Sequence, residues 1–101
     1  MTNDQKKVLL AEALVLETPA EWYKMLKAIR AFKTDYLHYM TTDPIAADKE
    51  LARAQSADYD LCAALLMMLL REEQYTAGSF QDRINSGEVA AIVTRMISFL
   101  D

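Results

Sequence analysis

The sequence predicts an all-α fold, a compact bundle of five or six helices in a single domain (residues 1–101), and three observations lead there. Only two glycines and two prolines occur among 101 residues, all where helices would start or stop, so long stretches of Ala, Leu, Met, Glu, Lys and Gln run uninterrupted. Ten consecutive apolar residues, Leu61 to Leu70, would coat a helix on every side, and such a helix has to be enclosed by others. Elsewhere apolar residues recur at three- and four-residue intervals, and no stretch alternates long enough for a sheet. The total charge of -4 and pI near 4.9 argue against non-specific nucleic-acid or membrane binding by the whole surface.

Thr2-Asn3-Asp4-Gln5 offers a capping sequence for a first helix reaching about Glu17. Its apolar residues fall on several sides: Val8 with Val15, Leu10 with Leu14, and Leu9 with Leu16. A helix of this kind is either sandwiched or buried against a second protein molecule.

Thr18-Pro19-Ala20-Glu21 reads as a capping box with proline in the first turn, opening a second helix. Trp22, Met25, Leu26, Ile29, Phe32, Tyr36 and Met40 would line one face of a long amphipathic helix ending near Thr41. Thr42-Asp43-Pro44 repeats the pattern and predicts a shorter third helix to about Gln55, with Ile45, Leu51 and alanines as its thin apolar side.

Ser56 is read as the cap of the central helix, about 57–73, with Asp58 and Asp60 in its first turn, where negative charge suits the helix dipole. Gly78 is placed to adopt the positive φ that closes a helix, Ser79 to cap a short turn of helix, and Ser86-Gly87 to end it. A last helix, about Glu88 to Leu100, carries the stripe Val89, Ile92, Val93, Met96, Phe99 and Leu100 opposite Ala91, Thr94, Arg95 and Ser98.

The chemistry-bearing residues are few. Cys62 is the only cysteine and His38 the only histidine, so neither an internal disulfide nor a thiolate cluster can form, and a metal site would have at most one imidazole ligand. Cys62 lies among Leu61, Ala63, Ala64 and Leu65, the setting of a small core filler rather than a nucleophile. No glycine-rich phosphate loop, His-Glu-x-x-His, Cys-x-x-Cys, Gly-x-Ser-x-Gly or dinucleotide fingerprint is present. No catalytic residue, cofactor or metal is therefore assigned. Lys24, Lys27, Arg30 and Lys33 recur at three-residue intervals along the second helix. A solvated helix face explains them better than nucleic-acid contact.

Residues 1–55 carry eight bases and eight acids, whereas residues 56–101 carry three bases and seven acids. Asp58, Asp60, Glu72 and Glu73 head this acidic half, and Arg71, Tyr75 and Arg83 gather near the Gly78 turn, where they would close helix ends or line a groove shared with the last helix. These seven are the candidate partner-binding residues, arginine and tyrosine being favoured at interfaces. The absence of a basic, apolar and small-residue leader pattern, and an apolar run about half the roughly 20 residues of a membrane span, place the expected protein in the cytoplasm.

From Ser56 onward, Ser56-Ala57-Asp58-Tyr59, Leu61 to Arg71, Gly78-Ser79-Phe80, Gly87, Ile92 and Arg95-Met96 resemble a family of small uncharacterised proteins from bacteria and their mobile elements. The resemblance implies no activity.

Three functions are compatible with these observations. The first is a small, soluble, non-enzymatic helical interaction or regulatory protein that self-associates, most simply as a homodimer, since slightly more than half the residues are apolar. The second is an acidic phage or mobile-element inhibitor that occupies the nucleic-acid groove of a host nuclease. The third is a small carboxylate-dependent enzyme, which requires a concave site holding two convergent acids.

Overall fold

The computed structural model describes residues 1–101 and contains six α-helices with no strand: α1 (Asn3–Glu12), α2 (Pro19–Ala28), α3 (Ala47–Leu51), α4 (Tyr59–Tyr75), α5 (Ser79–Asn85) and α6 (Glu88–Ser98). Short 3-10 turns at Ala13–Val15, Tyr36–Tyr39 and Ala54–Ser56 join them. The expected apolar helix is α4, and every residue from Cys62 to Leu70 is buried. Contacts from α6, α5, α3 and the Tyr36–Tyr39 turn wall it in. The resulting radius of gyration, 12.5 Å, is that of a close-packed chain of this length.

Local capping explains where most helices begin. Thr2 and Gln5 form one reciprocal capping box and Thr18 and Glu21 another, with Pro19 in the first turn. Asp58, not Ser56, caps α4: its carboxylate accepts the Leu61 N–H at 2.8 Å while its backbone stays extended. Ser56 belongs to the preceding 3-10 turn, and the buried Ala57 separates it from the helix.

The long second helix does not form. α2 stops at Ala28, and Arg30 turns into the left-handed region at φ 60°. The Ala31 N–H then bonds back to the Leu26 carbonyl at 2.8 Å and the Arg30 N–H to that of Lys27 at 3.1 Å, a closure normally assigned to glycine. Ala31 becomes fully buried, and Phe32 folds back edge-on against Tyr23 with ring centroids 5.7 Å apart. Trp22, Met25, Leu26 and Ile29 fill the core as expected, with Trp22 meeting Phe80 edge-on at 5.3 Å. Phe32, Tyr36 and Met40 reach the same core from irregular chain. The break also disperses the basic row: Lys33 pairs with Asp60 at 2.9 Å and Lys27 lies over the Phe32 ring.

Three further elements differ from expectation. α1 ends at Glu12 and tightens into the 3-10 turn instead of continuing to Glu17. Thr42-Asp43-Pro44 does not open a helix, because the Thr42 N–H and hydroxyl are bonded to Glu50, and the third helix is reduced to Ala47–Leu51. Phe99, assigned to the buried stripe of α6, lies past the end of the helix and is 45% exposed, with the Arg95 guanidinium over its ring.

The two glycines behave as expected, with φ of 89° at Gly78 and 86° at Gly87, where a side chain would be strained. Ser79 is not the cap of α5. Glu73 reaches over from α4 instead, accepting the Gly78 and Phe80 N–H groups at 2.7 and 3.0 Å.

Candidate interaction surface

The charged side chains inside this globule are occupied with holding it together. Glu50 is fully buried, and its carboxylate receives five donors: the Thr41 and Thr42 N–H groups at 2.8 and 2.9 Å, their hydroxyls at 2.9 and 2.7 Å, and Arg53 Nη1 at 3.0 Å. Burial pushes its pKa up, but the bonds from Thr42 and Thr41 outweigh that and hold the carboxyl at about 2. It pins the irregular chain ahead of α3. No sequence pattern singled it out, because a glutamate in a short polar helix looks solvated until its loop donors are known.

Arg83 is a second hub. From α5 its guanidinium reaches Glu72 on α4 at 3.0 and 3.2 Å, Asp48 on α3 at 2.7 Å and Glu88 on α6 at 3.1 Å. The hydrogen bonds it donates to Glu72 and Asp48 raise its pKa further. Arg83→Leu should therefore cost about 1–2 kcal/mol in urea unfolding. The Glu72 pair is partly shielded while Asp48 is open to solvent and contributes little. Unchanged stability would reduce the hub to a surface decoration.

The candidate residues separate on inspection. Asp58 caps α4, Asp60 pairs with Lys33, Glu72 with Arg83, and Glu73 caps α5, so the four acids hold intramolecular partners. Arg71, Glu72 and Tyr75 do line one cleft, of about 200 Å³, but its opposite wall is Tyr36, Ile45 and Ala47 rather than α6. Met68 contributes from α4 and Tyr75 is 88% exposed at the rim. Arg83 joins this cleft only through Glu72.

His38 sits exposed on the Tyr36–Tyr39 turn beside an open polar cleft with Arg53 and Asp58. No three His, Cys, Asp or Glu side chains come together as a metal-ligating group. Cys62 is fully buried, and burial pushes its thiol up to about 11, far from a reactive thiolate. No helix is long and apolar enough to cross a membrane.

An apolar groove runs between α1 and α2. It has a volume of about 310 Å³ and a floor of Leu9, Ala13, Leu16, Met25 and Ala28, with Glu12, Glu21 and Lys24 at its edges. α1 packs on α6, and Leu10, with Ala13 in the 3-10 turn that follows, is buried. Val8 and Val15 stay open to solvent, 54% and 80% exposed. The two-sidedness read in the sequence is thus satisfied on one side only.

Fold and surface together define a small helical protein whose buried and half-buried charges brace the fold and whose surface carries several shallow clefts. The chain belongs to a family of unknown function, DUF6508, whose model matches residues 3–101. The family resemblance read over the C-terminal half thus extends to residues 3–55 as well. No curated protein and no solved structure matches the chain.

Proposed function

We propose that this protein is a non-enzymatic helical interaction protein that self-associates through the outer face of α1. One observation carries the reading: α1 and the 3-10 turn after it bury Leu10 and Ala13 in their own globule, while Val8 and Val15 are exposed and Leu9 and Leu16 line an open groove. Contiguous apolar surface of this kind marks an interaction site, and a symmetric pair is its simplest cover.

The other two readings receive less support. An acidic decoy needs free carboxylates, yet Asp58, Asp60, Glu72 and Glu73 are engaged within the chain. A carboxylate enzyme needs convergent, sheltered acids. Glu12 and Glu21 share the α1–α2 groove, but both are exposed and Glu21 is tied into the Thr18 capping box.

Sedimentation velocity over a concentration series reaching tens of micromolar tests the proposal. The expected result is a wild-type particle heavier than the 11.5 kDa chain and a monomeric, fully folded Val8→Asp/Val15→Asp variant. A wild-type chain that remains monomeric throughout would refute it.

A further inference from the structure

We infer that the cleft between α4 and the chain ahead of α3 binds a small aromatic carboxylate, its ring between Tyr36 and Tyr75 and its carboxylate on the guanidinium of Arg71. The site is separate from the outer face of α1, so it stands or falls independently of the self-association proposed above.

Helix spacing lays out one wall. Met68, Arg71, Glu72 and Tyr75 follow at i, i+3, i+4 and i+7 along α4 and share one side of it. Tyr36, from its 3-10 turn, and Ile45, from the chain that follows, make the facing wall. Met68 is buried, Ile45 is partly open and Tyr75 stands free at the rim, so the interior is apolar and its edge is mobile on the scale of a side-chain rotation. A volume of about 200 Å³ falls below the roughly 300–1,000 Å³ of sites for drug-sized ligands. It limits the occupant to a single ring on a short arm. A ring suits these walls better than an alkyl chain, because tyrosine rings and the Met68 thioether both gain from aromatic contact.

The charges set the class of ligand. Of the two charged side chains in the lining, Glu72 has both oxygens taken by Arg83, at 3.0 and 3.2 Å. Arg71 is exposed, makes no ion pair and lies over no aromatic ring. Its planar fork of N–H donors matches a carboxylate or a phosphate. Burial pushes the pKa of the Tyr23 hydroxyl up and the Arg71 charge opposes the rise, and that hydroxyl is buried with no hydrogen-bond partner. The unmatched polar groups here can all donate, and an anion is the partner that answers them. Asp48, Glu72 and Glu88 share the single charge of Arg83 beside the cleft. The negative charge left over opposes a doubly charged phosphate more strongly than a single carboxylate on an apolar body.

NMR titration of the full, isotope-labelled chain with phenylpropionate tests the assignment, with phenylpropionamide as the uncharged control. A ligand of about eleven heavy atoms in an open cleft binds at roughly millimolar strength, so saturable shifts at Arg71, Tyr75 and Ile45 are expected by about 20 mM acid. The amide on the wild type, and the acid on Arg71→Gln, should each bind about tenfold more weakly, which is the loss of one charge-assisted hydrogen bond. Arg71 has no ion-pair partner in the fold, so Arg71→Gln should melt within about 3 °C of the wild type. Weakened binding by that variant then reports on the site itself.

Hexanoate and inorganic phosphate complete the comparison. Either of them moving the same residues as strongly as phenylpropionate would overturn the aromatic-carboxylate assignment. Equal binding of acid and amide, shifts centred on another cleft, or no saturable shift at all would overturn it as well.

Discussion

Glu50→Gln lowers the melting temperature by about 15 °C and removes much of the acid sensitivity of the fold. The carboxyl of Glu50 titrates at about 2 in the folded chain against an ordinary 4.5, so the folded state prefers it ionised. That preference is fully expressed above about pH 5 and disappears as the pH falls through 4.5 toward 2, where the unfolded chain takes up the proton first. Over this gap the linkage is worth about 3 kcal/mol, and for a domain of this size each kcal/mol moves the melting temperature by about 4–8 °C. The amide of glutamine carries no charge and turns an NH2 toward donors that need an acceptor, so the Thr41 and Thr42 groups lose their partner in a buried site. Urea titrations at pH 7, 4 and 2.5 would measure both effects. A wild-type stability that stays flat across that range, or a glutamine variant that falls as steeply, would show that the pin is not what the acid dissolves.

Leu66→Ala costs about 3–4 kcal/mol, a comparable loss from a different source. Leu66 is fully buried near the middle of α4 and belongs to the single core cluster joining residues from Leu10 to Leu100. Its removal loses transfer energy and leaves a cavity that helices on all sides cannot collapse into. Leu66→Met, which nearly conserves volume, should cost less than about 1.5 kcal/mol. Equal losses for the two variants would indicate that the shape of the methionine, not burial, sets the cost at this position. A loss below about 1 kcal/mol for alanine would mean that α4 is less completely enclosed than its contacts indicate.

The parts of the fold that could be read from the chain are those decided within one turn or one helix face. The Thr18–Glu21 box, the glycine turns at Gly78 and Gly87, and the run from Cys62 to Leu70 each carry their instruction locally. The end of α2 does not. Arginine is a good helix former, and what places Arg30 in the left-handed region is the burial of Ala31 and the return of Phe32 onto Tyr23. Glu50 was hidden for a similar reason, since its partners Thr41 and Thr42 sit in irregular chain and no periodicity links them.

The surface was legible in the same uneven way. The two-sided character of α1 follows from spacing alone, whereas the α2 wall of its groove depends on the packing of two helices. Arg71, Glu72 and Tyr75 share a face by their spacing, yet the wall opposite them is built from Tyr36 and Ile45, which the periodic pattern had assigned to helices.

Arg83 carries one more implication. Through a single side chain, α5 is bonded to carboxylates on α3, α4 and α6, and α3, five residues long, is far below the length at which an isolated helix persists in water. Its amides therefore owe their shielding chiefly to the Glu50 lock, since the Asp48 contact of the brace is open to solvent. In deuterium-labelling experiments α3 should exchange in step with the opening of its neighbours, and Glu50→Gln should turn it into the first segment to fray.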